Sequence, residues 1–287
     1  MFPIAFITDE ATQSFDEAVR LAGQLGLRGL ELRSVEDTPI DRVSHEKLRG
    51  YAEAKEQHNL HVIALASSFY KEDLSYPAIV AAELEKLERL CDAADILDTQ
   101  YIRGFAGLAA DSGRLPASEL AAFFEAPRKI LESRNKKLLL EADPHMNTSN
   151  HQALAQLLDL LASECFGAIY DPGNSLYDPL GEKPFPDAYE AVREHIRHVH
   201  IKDARYDDDG NPYCLRPGDG LVPYPELLQR LKDDGYRDWL SLETHYRKDS
   251  RLTDGQMLRP QGSAFSAGGT EAMAESAASL HNMLESL

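Results

Sequence analysis

The sequence is short of basic residues, of cysteine and of long apolar runs, and each shortage excludes something. Lys and Arg number 30 against 48 Asp and Glu, which leaves a formal charge of −18 with the histidines neutral. A surface of that sign repels a nucleic-acid backbone or an anionic bilayer, so neither is expected as a partner. The three cysteines, Cys91, Cys165 and Cys214, stand far apart and form no C-x-x-C pair. They read as free thiols of a reducing, cytoplasmic compartment. No apolar run reaches the ~18 residues that a membrane span needs. The opening stretch MFPIAFITDE carries no basic region and meets Asp9 and Glu10 early, so no secretory signal is expected there. After the first apolar run come Thr8-Asp9-Glu10-Ala11-Thr12, with neither G-x-G-x-x-G nor a P-loop, which argues against an open nucleotide-binding sheet.

What is present is a regular beat. The chain has 287 residues, 43% of them hydrophobic, enough to build a core without disulfide or metal staples. Short apolar runs alternate with longer amphipathic stretches. Strands are expected at 4–8, 27–33, 60–67, 99–105, 137–141, 168–171, 196–202 and 239–243. Helices are expected at 14–25, 45–59, 78–97, 117–133, 149–161, 187–195, 225–234 and 270–287, the first closed by Gly26 as a C-cap. Eight strand-then-helix units with no compositional break predict one (β/α)8 TIM barrel over residues 1–287, a single α/β domain. Two stretches interrupt the beat. Residues 203–223 hold Asp207-Asp208-Asp209-Gly210, whose consecutive aspartates lack the alternating spacing of a calcium loop and predict a solvated loop. Residues 248–269 are rich in Gly, Ser and Gln and are expected to cross the barrel mouth or to be mobile.

In such a barrel the working side chains project from the C-terminal ends of the strands. Those ends carry Glu31, Glu141, Asp171, His200 with Lys202, and Glu243 with His245, whereas strands three and four end in the chemically quiet Ser67-Ser68 and Gly104-Phe105. Asp171 follows Glu141 by 30 residues and His200 follows Asp171 by 29, about one βα unit each, so the three occupy equivalent places on adjacent strands. Glu243 takes the same place on the next. Taken singly, each has a structural reading: a loop ion pair, a hydrogen-bonded core histidine, an Asx turn at Asp171. His195 and His198 are read as structural. Taken together, three carboxylates and an imidazole converging without a countercharge repel one another unless a divalent cation holds them. An oxygen-rich set with one nitrogen suits Mn²⁺, Mg²⁺, Co²⁺ or Zn²⁺, with a lean to Mn²⁺.

At these residues the sequence resembles the xylose-isomerase-like barrel superfamily of sugar isomerases and epimerases. The segments that carry the resemblance are Gly29-Leu30-Glu31-Leu32-Arg33, Leu138-Leu139-Leu140-Glu141 and Ile169-Tyr170-Asp171-Pro172-Gly173-Asn174. His198-Val199-His200-Ile201-Lys202-Asp203, Arg216-Pro217-Gly218-Asp219-Gly220 and Ser241-Leu242-Glu243-Thr244-His245 continue it, in the same order along nearly the whole chain. The resemblance implies one divalent metal ion on Glu141, Asp171, His200 and Glu243, and isomerisation or epimerisation of a small ketose, sugar or cyclitol. The proton would move through a metal-stabilised cis-enediolate, with Glu141 and Glu243 as catalytic acid and base. Glu31, Asn174, Lys202, Arg205 and His245 are expected to contact substrate. Arg205 matches a basic residue that touches substrate oxygens in similar enzymes. Asn174 departs from the ketose 3-epimerases, which carry His at that place. Dehydration of a keto-cyclitol or a dehydroshikimate-like substrate shares the enediolate and is the alternative. A metal-dependent sugar-binding barrel without catalysis is a third reading. A DNA-repair endonuclease with three zinc ions is disfavoured, because strands three and four lack its additional histidines. Absence of a Gly-rich anion nest leans towards an unphosphorylated substrate. Relatives of this kind imply a homodimer or homotetramer.

Overall fold

A computed structural model describes residues 2–287. Eight parallel strands close into a barrel: β1 (Ile4–Ile7), β2 (Gly29–Leu32), β3 (His61–Phe69), β4 (Tyr101–Gly104), β5 (Lys137–Glu141), β6 (Phe166–Tyr170), β7 (Ile196–Ile201) and β8 (Leu240–Leu242). Neighbours in space are neighbours in sequence, and β8 pairs with β1 to complete the ring. The (β/α)8 architecture expected from the sequence is therefore the one observed. Among the described residues no helix is long and apolar enough to cross a membrane.

Period-two alternation sorts the strands into two faces. Leu138, Leu140, Ala168, Tyr170, Val199, Ile201, Leu240 and Leu242 join the apolar cluster between strands and helices. Their alternates Leu139, Glu141, Ile169, His198, His200 and Ser241 consequently face the barrel interior, as does Asp171 just past β6 and Glu243 just past β8. Local signals set several helix ends. Ser14 Oγ accepts the amide of Glu17 at the start of helix Phe15–Leu25, and Gly26 closes it at φ 69°. Asn150 caps His151–Leu161 in the same way through the amide of Ala153.

Three stretches differ from expectation. The helix expected over 117–133 is two, Ala117–Phe123 and Glu125–Arg134, because Pro127 cannot continue the first ladder. The stretch 187–195 is a chain of single turns, shaped by Pro184 and Pro186. The expected solvated loop after β7 is an antiparallel hairpin, Asp203–Tyr206 with Pro212–Leu215. Its base is pinned by Asp203, whose carboxylate accepts the amides of Ala204, Gly218, Gly220 and Val222. A Cβ on Gly220 would stand 2.1 Å from Asp203 Oδ1, so the Gly-Asp-Gly stretch is glycine-rich to admit that carboxylate. The strap 248–269 contains two short helices, Asp254–Leu258 and Gly262–Ser266. It is tied down by a bidentate pair of Arg259 with Glu72 and by the amide and hydroxyl of Ser263 on Asp37.

Candidate metal centre and active site

Glu141 ends β5, Asp171 directly follows β6, His200 lies in β7 and Glu243 directly follows β8, so four consecutive strands deliver them to one height. One ligand atom from each lies within 4.8 Å of the others, and all four residues are buried. His200 Nδ1 stands 3.2 Å from Glu141 Oε1 and 3.1 Å from Glu243 Oε2. Those separations are close to the roughly 3 Å edge of an octahedron with bonds of ~2.1 Å.

Asp171 divides its labour. Its Oδ1 accepts the amides of Gly173 and Asn174, which is the Asx-type cap. Its Oδ2 has no hydrogen-bond partner although Lys202 Nζ lies 2.6 Å away, off hydrogen-bond geometry. A buried carboxylate oxygen left without a donor and aimed into an acidic cluster fits a cation.

Contrary to the expectation from the sequence, the cluster has countercharges of its own. Arg103, on the strand read as quiet, places Nη1 3.1 Å from Glu141 Oε2 and 3.0 Å from Glu243 Oε1. Arg33 joins Glu243, Asp9 and Glu10, each at 2.8 Å. Lys202 Nζ lies 3.3 Å from Glu243 Oε2. Even so, the buried centre holds Asp9, Glu10, Glu31, Glu141, Asp143, Asp171 and Glu243 against the permanent charges of Arg33, Lys71, Arg103, Lys202 and Arg247. The seven carboxylates thus outnumber the five permanent cations beside them. Without an ion the imidazole takes up part of this load. Burial opposes its charge, yet Glu31, Glu141 and Glu243 together hold His200 well above its ordinary pKa. Burial likewise works against Glu243, but Lys202, Arg103 and His200 outweigh it and hold that carboxyl well below its ordinary value. For Asp171 burial wins, with Glu141 and Glu243 adding repulsion, and its pKa is raised. The Lys202 ammonium is kept charged by Asp171, Glu243 and Glu141 against the cost of burial.

Glu31 is placed differently from the expected substrate contact. A register shift in the β2–β3 pairing falls between Leu30 and Glu31, and the Glu31 side chain is fully buried beneath the cluster. Its Oε2 lies 3.1 Å from His198 Nε2 and 3.2 Å from His200 Nε2. It supports the imidazole and does not reach the cavity. Arg205 also differs: it is exposed on the hairpin, its Nε donating to the Tyr213 hydroxyl, and it does not line the chamber at the carboxylates. The other three expected contacts do line that chamber. Asn174 donates to Glu141 Oε1 and the Ala142 carbonyl and accepts from Lys202 Nζ at 3.0 Å. Close packing makes this possible, since a Cβ on Gly173 would stand 2.7 Å from the Lys202 carbonyl. His245 has φ 47°, a left-handed conformation costly for a residue of this kind. Glu10 holds it there, accepting its amide at 3.0 Å and lying 2.8 Å from Nδ1.

Sequence reasoning missed Arg33, Arg103, Asp9 and Glu10, and also the Lys71–Asp143 pair at 2.8 Å on the chamber rim. The chamber itself is about 50 Å³. A groove of about 450 Å³ at Tyr189, Arg193 and Ile196 lies by the opposite, N-terminal end of β7 and touches none of these groups.

Comparison with known proteins bears on the family and the fold. The family described as xylose isomerase-like TIM barrel matches residues 19–278. The chain is 24% identical over 267 residues to the 3-dehydroshikimate dehydratase of Bacillus anthracis, covering 85% of this chain and 91% of that protein. Among solved structures, an L-ribulose 3-epimerase aligns with a TM-score of 0.74 at 16% identity, covering 100% of this chain and 95% of the other. A xylose isomerase-like TIM barrel protein from Mycobacterium smegmatis in complex with magnesium aligns at 0.70 and 14% identity, covering 100% and 97%. At such identities the structural likenesses establish the fold alone.

Proposed function

This chain belongs to the xylose isomerase-like TIM barrel family, and we propose that it is a divalent-metal-dependent enzyme that removes a proton from the carbon beside a carbonyl in a small sugar, ketose or cyclitol. Glu141, Asp171, His200 and Glu243 would hold the ion, with manganese the leading choice for a set of three carboxylates and one imidazole. When bound, such an ion supplies Lewis-acid stabilisation of the negative charge that develops on the substrate oxygen.

The chain's own groups supply the proton chemistry. Glu243, buried on the chamber wall, is held in its ionised form, which makes it a base in reach of a substrate hydrogen. Lys202 stays an ammonium, which makes it a donor, and its Nζ is 3.3 Å from Glu243 Oε2. That juxtaposition is the observation that carries the finer reading. Acceptor and donor stand side by side, so they address one side of the substrate. Glu243 takes the α-hydrogen, Lys202 protonates the departing β-hydroxyl, and water is lost. A dehydratase is thus the reading the geometry supports best, and the alignment with 91% of a 3-dehydroshikimate dehydratase supports it too.

A specific observation favours isomerisation or epimerisation as the second reading. Glu141 and Glu243 share Arg103 and His200 but come from β5 and β8, so one can take a proton and the other return it. The two fates separate in D2O with manganese present. A dehydratase gives an absorbing enone from a ketocyclitol or 3-dehydroshikimate. An isomerase or epimerase washes deuterium into a ketose or hydroxypyruvate without losing water. Absence of both across that panel contradicts the proposal.

A further inference from the structure

The chamber at the carboxylates adjoins a second, much larger cavity of about 540 Å³, and the two share His145, Tyr177, His245 and Met257 as common walls. Volume decides what this means. At ~10–15 Å³ for each water-sized group, the inner chamber of about 50 Å³ holds a few atoms, the reacting end of a substrate. A six-carbon ketose of twelve non-hydrogen atoms takes roughly 150 Å³ on the same scale, and leaves most of the outer cavity unfilled. The outer space falls within the ~300–1,000 Å³ of cavities that enclose a whole small molecule.

Its walls suit a second sugar ring. Tyr177 and Tyr213 contribute aromatic surface, and Asn211, Asp254 and Arg251 contribute donors and acceptors. The Arg251 guanidinium lies 3.7 Å from the Tyr213 ring centre and 3.3 Å from Asp207 Oδ2, so the hairpin and the strap are joined across this cavity. Both of these segments stand outside the barrel repeat, and together they build this space. We propose that the substrate has two parts: a small polyhydroxylated ketone whose carbonyl end enters the chamber, and a glycosyl unit attached to it that fills the outer cavity. The inference rests on the carbonyl chemistry proposed above and deepens it by naming the substrate class.

The test pairs bare ketones with their glycosylated forms: D-fructose with isomaltulose and lactulose, and a ketoinositol with its glucoside. Affinity is measured by calorimetry on the manganese-loaded protein, and α-hydrogen exchange by NMR in D2O. The glycosylated member of at least one pair is expected to bind ten-fold or more tightly. Leu252 and Ser250 line the outer cavity and not the chamber, so Leu252→Trp and, independently, Ser250→Trp narrow the outer cavity alone. Each is expected to abolish that preference while leaving affinity for the bare ketone within two-fold of the parent. Equal or weaker binding of the glycosylated member in every pair overturns the inference, as does a preference that survives both tryptophans. Exchange on bare ketones in that case leaves the carbonyl chemistry standing. Absence of exchange with every compound overturns both.

Discussion

Glu31 lies beneath His200, with its Oε2 3.2 Å from Nε2, while the other ring nitrogen faces Glu141 and Glu243. A carboxylate accepting from Nε2–H fixes the tautomer whose Nδ1 lone pair is free for a metal ion, and raises its basicity. Glu31→Gln removes that charge while keeping the shape. Manganese affinity is expected to fall about 10–100-fold, with Glu31→Asp recovering part of it. Calorimetric titration of manganese into the two variants checks this, and unchanged affinity in Glu31→Gln would show that the pair is only packing.

Metal binding should depend on pH with a definite sign. In the metal-free protein His200 keeps its proton to well above the usual imidazole range, because three carboxylates surround it. A proton must leave before Nδ1 can ligate, so apparent manganese affinity rises as pH rises and levels off above the His200 pKa. One proton displaced corresponds to about ten-fold per pH unit on the rising limb. Titrations in buffers of differing ionisation enthalpy read the released proton directly. A flat profile from pH 6 to 9 is the contrary result.

Arg103 joins Glu141 to Glu243, and its remaining nitrogens donate to the carbonyls of Ser67 and Ala66. Arg103→Met leaves two buried carboxylates without this partner and is expected to cost about 3–5 kcal/mol of stability without metal. Saturating manganese is expected to restore part of the loss, since a dication replaces the missing charge. Denaturant melts with and without manganese measure both numbers.

Away from the centre, Glu182 accepts from the buried His151 ring and from the amides of His151 and Gln152. Burial raises its pKa, but those partners prevail and the carboxyl is held below its ordinary value. A depressed folded-state pKa gives stability that is present above the unfolded value near 4.5 and lost as pH falls through the folded one. Glu182→Gln is therefore expected to be less stable by about 1–3 kcal/mol at pH 7 and to show a shallower loss below pH 5. Parallel acid titration curves for parent and variant would contradict this.

The barrel and the four converging residues were legible because both are periodic: a βα unit of about 30 residues repeats, and strand-end residues keep phase with it. The charges that balance them were not, because each pair joins residues distant in sequence. Arg33 meets Glu243 across 210 positions and Arg103 meets it across 140. A signal did exist. Arg103 stands in the four-residue strand YIRG, where a guanidinium buried inside a barrel demands a carboxylate, and that demand points to β5 and β8. Asp9 and Glu10 were read only as evidence against a signal peptide and against a Gly-rich phosphate turn, although they lie in the turn after β1 and face Arg33. Glu31 illustrates a different limit: a strand-end acid reads as open to the cavity, yet its side chain is buried against the rings of His198 and His200. The Pro127 break and the hairpin after β7 depend on a single residue and on non-local pairing, neither of which hydrophobic periodicity records.

The central claim is that one dication sits among Glu141, Asp171, His200 and Glu243. A crystal grown with manganese and measured at the manganese absorption edge tests it most directly. The expected result is one anomalous peak within ~2.0–2.3 Å of His200 Nδ1 and of an oxygen from each carboxylate, with Lys202 withdrawn from Asp171. Full manganese in the crystal with no peak at that place, and Lys202 still against Asp171, would contradict the account.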